Sequence, residues 1–397
     1  LRKAADRGVR VRLLLDDIRL QGADELLMRI DKHENIEVRI FNPFAHRGAR
    51  WLDFLRDFGR VNHRMHNKSM SADGLSSIVG GRNIGDEYFA AKQTVNFSDM
   101  DLLISGPVVR EIGATFDEYW NSAVVYPISE LSPSLLEVDS AEVASSSPMS
   151  VSTVDPTGFP AGKVYWAKAT AIADPPDKLH EQTALDTYAI AQLRRQFNLA
   201  QKEMILVSPY FVPGRRGVKW LADAVKRGVR VRVLTNSFAA TDVSAVHAGY
   251  ARYRAELLRA GVELYELKPA IPGGVVDKAG APHSSRASLH AKVYLVDGHK
   301  VFVGSMNLDP RSVVLNTEMG VVVDSAPMYR DLMMSFERSL PSHAWRLELA
   351  DPHNGDGLIW IDSSGAEPVR LAREPSLGPL QSLSLFLFGL FPVEPQL

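Results

Sequence analysis

The sequence predicts an α/β protein made of two similar halves, each a mixed β-sheet flanked by helices. Three observations carry that expectation. A polar triplet recurs 224 positions apart, His66-Asn67-Lys68 and His290-Ala291-Lys292, and after four further residues each copy reaches an Asp, Asp73 or Asp297. Each His is followed 17 positions later by an Asn that closes a small-residue turn, Gly80-Gly81-Arg82-Asn83 and Gly304-Ser305-Met306-Asn307. Leu1–Leu13 (LRKAADRGVRVRL) also aligns with Leu221–Val233 (LADAVKRGVRVRV), in each case a helix end that passes through Arg-Gly into an alternating Val/Arg strand. A single His-x-Lys arises easily by chance. Two copies with one inner spacing mark a duplicated half-site.

The elements follow from this repeat. Ile36–Phe41 and Val262–Leu267 read as second strands, and 66–72 and 290–296 as the strands carrying the His and Lys. Alternation puts His and Lys of each triplet on one face. Ser77-Ile78-Val79 and Val301-Phe302-Val303 read as hairpin partners feeding the Gly turns. In the second copy, a helix over about 184–202 and the strand Met204-Ile205-Leu206-Val207 precede the aligned segment. The first copy has no counterpart, so its opening strand and helix are expected to be missing from this chain, and restoring them is expected to raise stability. The domain reading is 1–126 for the first half, 127–180 for a Ser/Pro-rich linker or excursion, 181–345 for the second half and 346–397 for a C-terminal extension. Ser145-Ser146-Ser147-Pro148, Pro156, Pro160 and Pro175-Pro176 interrupt regular structure in the linker. The extension ends in an apolar tail, Leu377–Phe391, too short to span a bilayer and long enough to lie in one.

Composition narrows the function. The 397 residues suit two cores of ordinary size, and 45% hydrophobic with 23% charged residues is the balance of a globular protein. A formal net charge of −2 gives no global attraction for a polyanion, so nucleic acid is an unfavoured partner. The absence of cysteine excludes disulfides, thiolate nucleophiles and Cys-ligated zinc.

Two His and two Lys suit phosphodiester chemistry without a metal or other cofactor. One neutral imidazole attacks phosphorus, and a second, protonated one delivers a proton to the departing oxygen. Unperturbed His titrates near ~6.5, so two in different surroundings can hold these opposite states. Lys68, Lys292, Asn83 and Asn307 would neutralise and hydrogen-bond the phosphoryl oxygens. An acid behind each His would fix its tautomer; Asp99 and Glu318 occupy matching places after the Asn turns, 16 and 11 residues on. Gly81 would support the site by letting backbone approach the phosphate, and Ser305 stands as a supporting residue at the matching place in the second copy. Asp73 and Asp297 read as structure at the strand ends.

These motifs resemble the paired motifs of the phospholipase D superfamily. The flanking segments Arg82–Tyr88, Thr241–His247, Asn307–Ser312 and Asp174–Lys178 are similar to those of bacterial cardiolipin synthases of the C type. The resemblance implies two halves about a pseudo-two-fold axis with the active site between them. It implies phosphatidyl transfer to phosphatidylglycerol from a second phospholipid, phosphatidylglycerol or phosphatidylethanolamine, through a phosphohistidine. It further implies His66 as nucleophile, His290 as acid, and peripheral work on the bacterial inner membrane, with a requirement for a partner protein left open. The alternative is a metal-independent phosphodiesterase that hydrolyses phospholipid or nucleic acid; a non-catalytic relic is disfavoured because both copies of His, Lys and Asn are intact.

Overall fold

The computed structural model describes residues 1–85, 95–132, 163–180, 186–269, 286–351, 355 and 357–375. Two compact units interleave along the chain. The first comprises Leu1–His66, Ala114–Trp166 and Pro175–Thr183, and the second Asn67–Gly113, Ala167–Asp174 and Ala184–Leu397.

The first unit is built on a three-stranded sheet. Val11–Asp16 and Ile36–Phe41 run parallel, with Leu13 opposite Val38, and Val125–Pro127 adds antiparallel to the second. The helix Asp24–Asp31 joins the parallel pair and lays Leu27 and Met28 against Ile36, Val38, Ile40 and Ile128. Of the Val/Arg run, Val11 and Arg12 open this half-buried strand, and Val9 and Arg10 precede it.

The second unit carries a ten-stranded sheet. At its centre Glu203–Val207, Arg230–Asn236 and Glu263–Leu267 run parallel. Their interior residues Ile205, Leu206, Val231, Val233 and Leu264 are fully buried, as continuous apolar runs covered on both faces should be. One flank continues antiparallel through Val293–Val296, Lys300–Gly304, Met319–Asp324 and Lys168–Ala173. The other flank continues through Ala344–Leu349, Leu358–Asp362 and Val369–Leu371. A three-stranded sheet of Ser69–Ala72, Ser76–Gly80 and Asp101–Ser105 and a parallel pair, Val95–Ser98 with Arg286–Leu289, complete this unit.

The two copies share one hairpin. Ser69–Ala72 with Ser76–Gly80 and Val293–Val296 with Lys300–Gly304 are joined by turns in which Asp73 and Asp297 hold φ of 55° and 53°, each followed by a Gly at positive φ. An Asp-Gly pair in the left-handed region is the chemistry of a tight hairpin turn. Asp297 also accepts the backbone amides of Gln201, Lys202 and Glu203 at 2.8, 2.8 and 3.0 Å, which fixes the start of the central strand. Asp73 is exposed.

Three expectations need correction. The His and Lys precede their strands, which begin at Ser69 and Val293. In the second copy the cause is visible: His290 and Ala291 both donate their amides to the Ser98 carbonyl, at 2.8 and 3.0 Å, and are lost to the ladder. The linker is less irregular than its prolines suggested, since Lys168–Ala173 is the edge strand of the large sheet and Pro176–His180 is helical. The segment after 345 contributes three strands rather than a mere extension. The apolar tail Leu377–Phe391 lies outside the described residues.

Candidate active site

His290 emerges between the strands Arg286–Leu289 and Val293–Val296, and its side chain is 7% exposed. Its Nδ1 donates to Asp99 Oδ2 at 2.7 Å. Asp99 is fully buried in its side chain and accepts the Met100 amide at 2.8 Å on its other oxygen. The acid therefore comes from the first copy and backs the His of the second. The repeat matched Asp99 to Glu318 but left open which His each would serve.

Lys292 is fully buried, and its Nζ donates to the His290 carbonyl at 2.5 Å. The ammonium also lies 2.9 and 3.1 Å from the two ring nitrogens. Nδ1 cannot both donate to Asp99 and accept from Lys292. The carboxylate is the better partner for its proton, which leaves the lone pair on Nε2.

Electrostatics follow from this crowding. Burial and then the Lys292 charge push the His290 pKa down to about 3, against the pull of Asp99, with Lys68 adding to the depression. Burial pushes Lys292 down to about 7, opposed chiefly by Asp99. Burial disfavours ionised Asp99, yet the hydrogen bond from His290 and the Lys292 charge outweigh it and hold the carboxyl below its ordinary value. The charge of Lys68 thus reaches both His290 and Lys292, bringing one Lys from each triplet to one imidazole. His66, half-buried, closes the first unit two residues before Lys68.

The Gly turns make room for the acids. A Cβ on Gly81 would sit 2.3 Å from Asp99 Oδ1, and one on Gly80 would sit 2.0 Å from Asp101 Oδ1. At the position equivalent to Gly81, Ser305 donates its hydroxyl to Glu318 Oε2 at 2.5 Å. Glu318 is fully buried, and Asp174 grips its backbone from both sides: Glu318 N donates to Asp174 Oδ2, and Asp174 N to the Glu318 carbonyl, each at 2.8 Å. Asn307 is buried at 4% exposure, and its Oδ1 has no hydrogen-bond partner among the described residues. Asn83 is half-buried in the first Gly turn.

A buried imidazole with an oriented tautomer and two ammoniums is a set suited to an anionic phosphoryl group. Residues 1–120 and 193–340 match the family described as cardiolipin synthase, PLD-like domain. The chain belongs to the phospholipase D superfamily. It is 40% identical over 414 aligned positions to cardiolipin synthase C of Escherichia coli, covering 98% of this chain and 85% of that protein. It is 32% identical over 330 positions to cardiolipin synthase A of Pseudomonas syringae, covering 82% of this chain and 56% of that one. Among solved structures, phosphatidylserine synthase of Haemophilus influenzae shares the fold, with a TM-score of 0.55 at 14% identity over 99% of this chain and 92% of that one. The chain is a phosphatidyltransferase of the cardiolipin synthase-like kind within that superfamily.

Two residues of this phospholipase D-like chain escaped the sequence reading. Asn236, at the end of its strand, holds Leu289 by both backbone groups: it donates to the carbonyl at 3.0 Å and accepts the amide at 2.9 Å. Leu289 directly precedes His290. Asp16, the counterpart of Asn236 in the aligned Val/Arg segments, accepts the amide of Met65 at 2.8 Å, and Met65 directly precedes His66. Carrying the alignment three residues past Leu13 would have paired Asp16 with Asn236, though not shown what they hold. Phe211 bridges to Leu308, while Val212 donates its amide to the Leu308 carbonyl at 2.8 Å, which seats the Asn307 turn. His63, Arg64 and His247 serve structure. His63 Nδ1 meets the Gly59 carbonyl, Arg64 donates to the carbonyls of Asn42 and His63, and His247 pairs with Glu374 at 2.8 Å.

Proposed function

We propose that this phosphatidyltransferase makes cardiolipin. It transfers the phosphatidyl group of one phospholipid, phosphatidylglycerol or phosphatidylethanolamine, to a hydroxyl of phosphatidylglycerol. The observation that supports this reading best is the Asp99–His290 pair flanked by Lys292 and Lys68, in a chain whose near-full-length relative is named for that product.

His66 attacks the donor phosphorus, the P–O bond to glycerol or ethanolamine breaks, and His290 gives the leaving oxygen its proton. The phosphohistidine is then opened by the acceptor hydroxyl, whose proton returns to His290, and the P–N bond breaks as the new P–O bond forms. Lys68, Lys292, Asn83 and Asn307 compensate the charge on the phosphoryl oxygens, which stay anionic throughout.

His290 is neutral at rest, and an acid must first be charged. Burial depresses the His290 pKa first and the ammonium charges of Lys292 and Lys68 add to that, and the incoming phosphodiester anion offsets the charge part. The same depression favours a second assignment in which His290 attacks and His66 is the acid, since a neutral imidazole is the nucleophilic form. The phospholipid substrates put the work at a membrane surface, and among the described residues no helix is long and apolar enough to cross a membrane. Peripheral association with the bacterial inner membrane fits both.

The test uses vesicles of phosphatidylglycerol with headgroup-labelled phosphatidylethanolamine, in EDTA. Cardiolipin formed with release of labelled ethanolamine supports transfer with that donor, and unlabelled glycerol names phosphatidylglycerol instead. Phosphatidic acid alone would make the chain a hydrolase and sink the transferase reading.

A further inference from the structure

In the first unit, the segment Trp51–Val61 exposes large apolar side chains without cover. Trp51 is 62% exposed, Phe54 41%, Leu55 75% and Phe58 48%. Trp51, Phe54 and Leu55, at i, i+3 and i+4, share one stripe of the short helix Trp51–Arg56, and Phe58 opens the next helix, Phe58–Val61, after a break at Asp57. The charge is sorted to match. Asp53 is buried and turned inward, where it accepts the His46 amide and pairs with its ring at 2.6 Å. Asp57 is neutralised by Arg60 at 2.6 Å. Arg56 is exposed and makes no ion pair with a described residue. What faces solvent is therefore two aromatic rings, an indole and a leucine around one cation.

We infer that Trp51, Phe54, Leu55 and Phe58 dock this protein on an anionic lipid surface. Aromatic and leucine side chains on one stripe with a basic neighbour are the composition of helices that lie in a membrane interface. Contiguous exposed apolar residues on a soluble fold mark an interaction site. Within the first unit the patch is also tied to the segment that ends at His66. Asn42 donates to the carbonyls of Arg60 and His63, at 3.0 and 2.8 Å, so the docking segment is tied to the stretch that leads into His66. This inference rests on the proposed lipid substrate but names a surface outside the reacting groups.

The chain has no cysteine, so one introduced thiol labels a single position. Leu55→Cys carrying an environment-sensitive fluorophore should shift to the blue with vesicles of phosphatidylglycerol and phosphatidylcholine. The same label at Lys219→Cys, 77% exposed on the second unit, should not. Replacing all four apolar residues by Ser should lower vesicle partitioning by about tenfold or more, at some cost in stability because Phe54 packs on the buried Phe44, so the Leu55 label carries the test where this variant does not fold. A silent Leu55 label, or a quadruple variant that partitions like the parent, overturns the inference. So does a blue shift that grows with protein concentration in the absence of vesicles, which would assign the patch to a second copy of the chain. Vesicle binding without any turnover would keep the docking surface and sink the transferase reading.

Discussion

Asp99 and His290 lie 191 residues apart and share a 2.7 Å hydrogen bond that fixes the proton on Nδ1 of the imidazole. The tautomer of one triplet's His is thus set by a carboxylate from the other copy of the repeat. Asp99→Asn keeps the shape and can reverse the bond, placing the proton on the wrong nitrogen. Turnover should fall by about 10²-fold or more with little change in melting temperature. Activity within a fewfold of the parent would remove Asp99 from the mechanism.

Gly81→Ala tests the same pair from the other side. Its Cβ would meet Asp99 Oδ1 at 2.3 Å, so the carboxylate must move away from His290. The variant should lose activity like Asp99→Asn and also cost about 1–3 kcal/mol of stability through overpacking. Chemical denaturation and initial rates separate the two effects. An active, stable variant would mean that Asp99 can shift without consequence.

Acid stability should carry the signature of His290. Its folded pKa of about 3 lies below the ordinary 6.5, so between those values the unfolded chain binds more protons than the folded one. The resulting stability is fully present above pH 6.5 and is lost as pH falls toward 3. Asp99, also depressed, acts with the same sign below its ordinary value of 3.8. In His290→Asn the loss of stability between pH 6.5 and 4 should flatten relative to the parent. Equal slopes in both proteins, measured by urea titration at each pH, would show that the imidazole is not held neutral.

The sequence reading reached the repeat, the two triplets, the hairpins and the Gly turns because each rests on local spacing. Asp73 and Asp297 were legible as structure at the strand ends; that they hold left-handed turns, a backbone few residue types tolerate, came from the structure. The exchange that gives Asp99 to His290 was not legible. It depends on which strands meet in space, here Val95–Ser98 beside Arg286–Leu289, and no local pattern encodes that. The edge strand Lys168–Ala173 was missed for a related reason. Three of its four apolar residues are Ala, which favours no strand, and pairing with Met319–Asp324 makes it one.

The Asn236 clamp gives a prediction that separates positioning from folding. Asn236→Ala removes two buried hydrogen bonds to Leu289, worth about 1 kcal/mol each. It frees the backbone beside His290, so kcat should fall while KM stays near the parent value. Asp16→Asn should be tolerated better than Asp16→Ala, because an amide oxygen still accepts from Met65. Burial also raises the pKa of Asp16 despite the opposing charge of Arg64, which lessens the cost of a neutral group there. If Asn236→Ala lowers stability alone and leaves kcat unchanged, the clamp holds the fold and not the imidazole.

The two imidazoles should behave as one unit. His66→Ala and His290→Ala should each remove nearly all turnover, and the double variant should be little worse than either. The covalent adduct separates their roles. With a donor whose leaving group needs no proton, loss of the acid leaves the attack intact and a phosphohistidine accumulates. Loss of the nucleophile abolishes it whatever the leaving group. Trapping with such a donor, followed by mass spectrometry of the digested protein, should find the adduct on His66 in the His290→Ala variant. Finding it instead on His290 in the His66→Ala variant reverses the assignment, in line with the neutrality that burial and Lys292 impose on that ring.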